Sequence, residues 1–128
     1  MKLLLDTHTF IWWLANAPEL STAARNAICE TDAEVSISAA SIREICTKHR
    51  LGKLAGGAMI ARDASACISG EGFHELPITV RHGQLAGNLQ AVHADPFDRM
   101  LAAQAILEGL TLVSADKALD AFGVTRLW

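Results

Sequence analysis

The sequence predicts an α/β fold in which a parallel sheet is covered by helices on both faces. Short apolar runs, each bounded by turn-forming residues, alternate along the chain with segments whose apolar residues have helical spacing. The chain has 128 residues, of which 51% are hydrophobic and 20% are charged. This composition excludes an intrinsically disordered chain, and the length fits a single domain over residues 1–128.

Five apolar runs are predicted to be strands. The first, Lys2–Leu5, is continuous and ends at Asp6, which is typical of a buried strand. The others cover residues 34–37, 73–78, 110–113 and 124–127. Because Pro77 cannot donate a ladder hydrogen bond, it places the end of the third strand at an edge of the sheet.

Helix signals fill the intervals between these strands. Ser21 has the position of an N-cap, and Asp95 followed by Pro96 predicts the start of a helix that Gly109 ends. The remaining predicted helices cover residues 7–15, 22–30, 38–50, 58–68, 79–88 and 116–121. In a parallel sheet of this kind, sites form at the edge where the carboxyl ends of the strands meet.

Cysteine and hydropathy patterns exclude several classes of protein. Cys29, Cys46 and Cys67 are odd in number and lack C-x-x-C spacing, which favours reduced thiols over a disulfide scaffold or a zinc site. Asp6 and His8 interrupt the apolar N-terminus, and no run approaches the roughly 18 apolar residues of a membrane span. We therefore expect a soluble, cytoplasmic protein with no membrane partner.

The net charge of −3 argues against nucleic-acid binding by bulk electrostatics. A chain of this charge that acts on nucleic acid needs a local basic patch, a bound cation or a partner. Basic residues do gather on one predicted helix and beyond it, namely Arg43, Lys48, His49, Arg50, Lys53 and, next to Asp98, Arg99. They form either a solvated helix face or a track for a phosphate backbone.

Four acidic residues lie close to the ends of the predicted strands. Asp6 follows the first strand and Asp116 follows the fourth, while Glu44 and Asp98 lie on helices that can reach the same edge.

Each acid also has a purely local explanation. Asp6 and Asp116 can cap the helices that follow them. Asp95 with Asp98 resembles a capping box. Glu44 precedes Lys48 by four residues, the favourable order for a surface ion pair worth roughly 0.2–0.5 kcal/mol.

Taken together, the four acids predict a site for a divalent metal ion. Carboxylates gathered at one edge repel each other, and a hard cation removes that penalty. Mg²⁺ and Mn²⁺ prefer oxygen ligands and are usually held by one or two carboxylates plus substrate phosphate oxygens. Because such an ion assists displacement at phosphorus, an acidic protein remains compatible with a nucleic-acid substrate.

Four motifs, spread in order over nearly the whole chain, carry a family resemblance. They read LLLDTHTFIWW at 3–13, SIREI at 41–45 with KHRLGKL at 48–54, HADPFDRMLAAQA at 93–105, and EGLTLVSAD at 108–116. The sequence resembles the PIN-domain ribonucleases of the VapC toxin type.

This resemblance implies a PIN-like three-layer α/β/α sandwich with a mainly parallel five-stranded sheet. It implies a Mg²⁺- or Mn²⁺-dependent endoribonuclease, the toxin of a toxin–antitoxin pair, that acts on RNA, binds an antitoxin and forms a homodimer. The implied catalytic and metal-binding residues are Asp6, Glu44, Asp98 and Asp116. Thr7 and Ser114 are the implied supporting residues. Whether Asp95 also contributes to the metal site stays open.

Other functions also remain open. A phosphatase-like or dehalogenase-like hydrolase would use Asp6 as its nucleophile, but such sites usually have a second acid two residues later, where this chain has His8. A receiver-like module would combine Asp6 with a lysine such as Lys117. In a non-catalytic interaction module, the acids would serve only as helix caps.

Two adjacent tryptophans, Trp12 and Trp13, lie in the first predicted helix. Neighbouring positions of a helix cannot both face the core. We therefore expect one of the two to be exposed, where it could anchor a partner.

Overall fold

The computed structural model describes residues 1–128 and contains one five-stranded sheet. The strands are β1 (Lys2–Leu5), β2 (Glu34–Ser38), β3 (His74–Leu76), β4 (Thr111–Val113) and β5 (Arg126–Leu127). Their order across the sheet is β3-β2-β1-β4-β5, and every neighbouring pair is parallel. The predicted fold class and all five predicted strands are confirmed, and β3, which ends just before Pro77, lies at an edge.

Seven α-helices and one 3-10 helix connect the strands. The α-helices are α1 (Thr7–Leu14), α2 (Thr22–Cys29), α3 (Ala39–Arg50), α4 (Ala58–Arg62), α5 (Ala64–Gly70), α6 (Val80–Asn88) and α7 (Pro96–Glu108). The 3-10 helix covers Lys117–Phe122. None of these helices combines the length and apolar character needed to cross a membrane.

The single helix predicted at 58–68 is wrong, because the chain forms two short helices, α4 and α5, in that region. Asp63 separates them with an extended backbone (φ −157°, ψ 85°), and its carboxylate accepts a hydrogen bond from the backbone N–H of Ala66 at 3.1 Å. An aspartate that bonds to the backbone in this way competes with helix continuation and favours a new helix start. The apolar spacing of the segment did not contain this signal.

The sheet is the middle layer of an α/β/α sandwich, with one hydrophobic cluster on each face. Leu3 and Leu5 belong to the cluster that includes Phe10 of α1, whereas Leu4 belongs to the cluster that includes Leu101 of α7. This division follows from the strand period of two, which directs alternate side chains to opposite faces. All three leucines of β1 are fully buried, so β1 is the centre of the fold.

The carboxyl ends of three adjacent strands lie side by side. Leu5 of β1 is in register with Ile37 of β2 and with Val113 of β4. The residues that follow these positions therefore meet at one edge of the sheet, as the parallel arrangement requires.

The expectation that either Trp12 or Trp13 is exposed is wrong, because both side chains are partly buried. Trp12 packs against Trp128, with ring centroids 5.8 Å apart, and Trp13 packs against Phe73 at 6.0 Å. Helix α1 has aromatic neighbours on two sides, so adjacent positions of the helix are each covered by a different part of the chain.

Candidate metal centre

Asp6 lies at the carboxyl end of the central strand and is the N-cap of α1. One carboxylate oxygen, Oδ1, accepts a hydrogen bond from the backbone N–H of Thr9 at 2.9 Å. The backbone N–H of Asp6 donates to the carbonyl oxygen of Val113 at 3.1 Å, which ties it to the end of β4. The capping role expected from the sequence is therefore real, and it uses one of the two carboxylate oxygens.

Asp98 and Asp116 come together at this edge, and His93 lies with them. One ligand atom from each of the three residues lies within 4.8 Å of the others. Nε2 of His93 is 2.8 Å from Oδ2 of Asp98, and about a quarter of each of these two side chains is exposed. Asp116 is exposed and caps the 3-10 helix by accepting a hydrogen bond from the N–H of Ala118 at 2.9 Å.

The electrostatics of Asp98 favour a cation. Burial raises the pKa of the Asp98 carboxyl above its ordinary value, and the nearby carboxylates of Asp95 and Asp116 raise this pKa further. The hydrogen bond from His93 acts in the opposite direction. A partly buried carboxyl beside two other acids is stabilised in its charged form when a cation binds among them.

Asp95 has the local role expected of an N-cap. Its Oδ1 accepts hydrogen bonds from the backbone N–H groups of Phe97 and Asp98 at 2.8 and 3.1 Å. The capping-box interpretation of Asp98 is wrong, because the Asp98 carboxylate bonds to His93 instead of returning to the backbone of Asp95.

Glu44 of α3 is buried, with 6% of the residue exposed. Its Oε1 accepts a hydrogen bond from the hydroxyl of Thr7, and its Oε2 accepts one from Nζ of Lys48 at 2.5 Å. The ion pair expected from the sequence is present, but it is not a surface pair, because the carboxylate faces the start of α1 and only the lysine reaches solvent.

Lys48 also responds to the acids on α7. Its hydrogen bond to Glu44 raises the pKa of the Lys48 ammonium group, burial opposes this shift, and the charges of Asp95 and Asp98 raise the pKa further. The positive charge of Lys48 is therefore stabilised both by the carboxylate of Glu44 and by those at the start of α7.

The two predicted supporting residues each contact a predicted ligand. Thr7 donates to Glu44, as described above, and both residues are buried. The fully buried Ser114 accepts a hydrogen bond through Oγ from the backbone N–H of Asp116 at 3.0 Å. These hydroxyl groups hold Glu44 and the Asp116 backbone in place.

Arg99 does not extend the basic patch, because its guanidinium group is used within the fold. Its five N–H donors meet five backbone carbonyl oxygens, at distances from 2.6 to 3.4 Å. These acceptors belong to Ala86, Gly87, Leu89, Ala91 and His93. The part of the patch that is exposed consists of Arg43, His49, Arg50 and Lys53.

The structure thus brings together two of the four predicted acids, Asp98 and Asp116, in one tight group. Asp6 lies at the same sheet edge, and Glu44 is joined to it through the neighbouring Thr7, but neither acid is in the group whose atoms lie within 4.8 Å. His93, which the sequence did not select as a ligand, is in that group. Carboxylate oxygens with one imidazole nitrogen are a donor set suited to a divalent cation, and the raised pKa of Asp98 fits such an ion.

Comparison with protein-family models identifies the fold. The model of the PIN domain matches residues 3–124. The chain belongs to the PIN domain family. PIN domains are generally nucleases and typically depend on a divalent metal ion. The resemblance inferred from the four motifs is confirmed at the level of the family.

Solved structures with the same fold agree with this membership. This PIN domain is similar to a chain of VapBC2 from Rickettsia felis, solved bound to a promoter DNA fragment (TM-score 0.71, 14% identity, 98% of this chain and 97% of that chain covered). It is also similar to a chain of VapBC-1 from nontypeable Haemophilus influenzae, with a TM-score of 0.70, 16% identity, and 98% of this chain and 96% of that chain covered. A chain of FitAcB from Neisseria gonorrhoeae gives a TM-score of 0.68, 17% identity and the same two coverages. Comparison with curated protein sequences gives no significant match.

Proposed function

We propose that this PIN domain is a metal-dependent endoribonuclease and the toxin of a cytoplasmic toxin–antitoxin pair. The observation that carries the proposal is the convergence of Asp98, Asp116 and His93 at the carboxyl edge of a parallel sheet, beside Asp6. Acidic groups at this edge suit metal-assisted phosphodiester hydrolysis, because they can hold a cation that binds the phosphate.

Asp6, Asp98 and Asp116 would hold Mg²⁺ or Mn²⁺, and Glu44, whose two oxygens are paired with Thr7 and Lys48, would complete the acidic environment. The bound ion supplies Lewis acidity toward water and phosphate oxygens. The protein's own residues do the positioning. His93 orients the carboxylate of Asp98, Thr7 orients that of Glu44, and Ser114 fixes the backbone at Asp116.

Two kinds of macromolecule are proposed as partners, RNA as substrate and a cognate antitoxin. The antitoxin proposal is supported by the similar chains, which come from structures named as VapBC and FitAcB assemblies. An acidic edge of this kind favours an antitoxin that places a basic side chain among the carboxylates. We also propose that the protein forms a homodimer.

A non-catalytic interaction module is the second candidate. It is favoured by the capping hydrogen bonds of Asp6, Asp95 and Asp116, each of which explains its residue without chemistry. It does not explain why Asp98, which accepts no capping hydrogen bond, is held beside Asp116 and His93.

The decisive experiment measures metal-dependent RNA cleavage by the variants Asp6→Asn and Asp98→Asn. We expect each variant to lose more than about 100-fold in activity with little change in fold. Removing a metal ligand should cost at least as much activity as removing a residue that hydrogen-bonds to a ligand. Asp63→Asn is a matched control, since Asp63 also caps a helix and Asn is an equally good cap. Cleavage that persists in both site variants would mean that the site is assigned to the wrong residues.

Removal of the metal tests the mechanism separately. We expect EDTA to abolish cleavage and Mg²⁺ or Mn²⁺ to restore it. Ca²⁺ should not restore it, because Ca²⁺ takes more ligands at longer distances. Equal activity in EDTA would refute a metal mechanism.

A further inference from the structure

Three aromatic rings form a row beside the acidic edge. The ring centroids of His8 and Trp12 are 5.6 Å apart, and those of Trp12 and Trp128 are 5.8 Å apart. His8 is exposed, and the two tryptophans are partly exposed while they pack against the hydrophobic cluster on the α1 face. We call His8, Trp12 and Trp128 the aromatic row.

Both ends of the aromatic row are connected to the candidate metal centre. His8 lies in the first turn of α1, two residues after Asp6, which caps that helix. Trp128 directly follows β5, and the carbonyl oxygen of the preceding Leu127 accepts a hydrogen bond from the N–H of Ser114 at 3.2 Å. The row therefore extends from the end of β1 to the end of β5, along the same edge as the acids.

An aromatic surface beside a phosphate-binding site has a specific use in nucleic-acid enzymes. Unpaired bases stack on the rings of histidine and tryptophan, and each such contact is worth about 1–3 kcal/mol with little dependence on sequence. Bases inside a duplex are already stacked on their neighbours, so their faces are not available to side chains.

We propose that the aromatic row is a stacking subsite for an unpaired base of an RNA substrate, next to the phosphate that is cleaved. This inference rests on the proposed nuclease function and adds to it a contact that a base can make only when it is unpaired.

An RNA base explains this surface better than a protein partner does. A partner helix is usually held by large apolar side chains that are exposed before binding. Such side chains occur elsewhere, at Leu51 after α3 and at Met59 in α4, which are 51% and 74% exposed. The aromatic row instead combines flat rings with one polar imidazole and adjoins the acids.

Trp13 provides a matched control within the same helix. It is also partly buried, but it packs against Phe73, and its Nε1 donates a hydrogen bond to Glu71 at 2.8 Å. It does not belong to the aromatic row. Replacing it with phenylalanine also leaves Trp12 and Trp128 as the only tryptophans, so fluorescence then reports on the row.

The binding test uses the full chain carrying Asp98→Asn and Trp13→Phe, so that RNA binds without being cut. An unstructured RNA oligonucleotide is compared with the duplex made by annealing its complement. We expect the single strand to quench tryptophan fluorescence and the duplex to quench it little. Equal quenching and affinity for the two forms would overturn the proposal.

Variants of the row then locate the contact. Trp128→Leu keeps apolar volume but removes the aromatic face, and His8→Ala removes an exposed imidazole. Each should weaken binding of the single strand by about 5- to 150-fold, the equivalent of one lost stacking contact. Trp13→Phe alone should change affinity less than about twofold. Unchanged affinity in both row variants, with thermal unfolding intact, would overturn the proposal.

Cleavage kinetics separate this proposal from the function on which it rests. In the otherwise native chain, His8→Ala should raise KM for single-stranded RNA more than it lowers kcat. If the native chain cleaves RNA but KM is unchanged in His8→Ala and Trp128→Leu, the subsite is refuted while the nuclease stands. If the native chain binds single strands through the row but cleaves none, the proposed function fails and the binding surface remains. If only an antitoxin protects the row and RNA does not, the surface belongs to the protein partner and the proposal is overturned.

Discussion

Nζ of Lys48 donates a hydrogen bond to Oε2 of Glu44 at 2.5 Å, one helical turn away on α3. The carboxylate is buried, and its other oxygen accepts a hydrogen bond from Thr7, so each oxygen of Glu44 has a partner within the protein. The charges of Asp95 and Asp98 also raise the pKa of the Lys48 ammonium group, so its positive charge offsets part of the negative charge at this edge.

This pairing makes Lys48→Met an informative variant. Loss of the Lys48 ammonium group leaves one oxygen of the buried Glu44 without a partner, and a buried acceptor without a partner costs about 1–3 kcal/mol of stability. In EDTA, the melting temperature should therefore fall. Mg²⁺ or Mn²⁺ should then raise it more than in the native chain, because a bound cation stabilises the folded state and no longer competes with the lysine.

Thermal unfolding with and without the metal ion measures both effects. Lys53→Met is the control, because Lys53 is exposed and its replacement should change neither quantity. If metal raised the melting temperature equally in Lys48→Met and the native chain, the lysine and the cation would not neutralise the same carboxylates.

Asp98 should make the metal-free protein less stable at neutral pH. Its pKa is raised in the folded state, chiefly by burial, so its contribution to stability is present below the ordinary value of 3.8 and is lost as pH rises through the raised pKa. Asp98→Asn cannot ionise and keeps an oxygen for His93. In EDTA it should be more stable than the native chain at pH 7, and this difference should shrink toward acidic pH.

Asp120→Asn is a control for which the expected pH dependence of stability has the opposite sign. The hydrogen bond from Arg126 lowers the pKa of the exposed Asp120, so this group adds stability above 3.8 that is lost as pH falls through the lowered pKa. Urea unfolding across a pH series should show Asp120→Asn as the less stable chain near neutrality. A native chain that is more stable than Asp98→Asn in EDTA at pH 7 would refute the burial argument.

Most of the fold could be predicted from the sequence, because the information is local. The run Lys2–Leu5 consists of one lysine and three leucines, which is typical of a buried strand. Pro96 after Asp95 correctly predicts the residue at which α7 begins. The break at Asp63 could not be predicted in the same way. There, a single side-chain hydrogen bond outweighs an apolar pattern that continues through it.

The candidate site could be predicted in part. Asp6 and Asp116 follow strands, so the rule for parallel sheets brings them to one edge without knowledge of packing. His93 lies in an irregular segment before α7, where no periodicity indicates its direction. Its position depends on tertiary contacts, since its carbonyl oxygen accepts a hydrogen bond from Arg99 at 3.0 Å. A histidine five residues before a candidate acid was the only available signal.

Gln104 should be important for stability although it is far along α7 from Asp98. It is fully buried, its Oε1 accepts a hydrogen bond from the hydroxyl of Ser38 at 2.5 Å, and its Nε2 donates to the carbonyl oxygen of Pro77 at 3.3 Å. Because Ser38 caps α3, this amide joins the helix of Glu44 to the helix of Asp98.

Replacement by a residue of similar size without polar atoms, Gln104→Leu, should lower the free energy of unfolding by about 1–3 kcal/mol, because the buried hydroxyl of Ser38 loses its acceptor and the carbonyl of Pro77 loses a donor. Urea denaturation measures the change, and Gln90→Leu, at an exposed position, is the control. A chain with Gln104→Leu that unfolds at the native urea concentration would mean that the amide does not contribute to the junction.

The guanidinium group of Arg99 stabilises the fold and is not available to bind RNA. All five of its N–H donors are used by carbonyl oxygens at the end of α6 and in the segment before α7. Arg99→Lys keeps the charge but has three donors in a different geometry. We expect it to lower the free energy of unfolding by about 2 kcal/mol or more. We also expect it to reduce cleavage, because the carbonyl of His93 loses its anchor.

Parallel measurements of unfolding and of RNA affinity test this assignment. If Arg99 bound the phosphate backbone, the charge would matter most, and Arg99→Lys would retain both stability and affinity while Arg99→Met lost affinity alone. If the guanidinium holds the segment that carries His93, both variants unfold more easily than the native chain, and Arg99→Lys is no more stable than Arg99→Met. The geometry of five donors on five carbonyl oxygens predicts the second result, since a point charge cannot replace a planar fork with five directed hydrogen bonds.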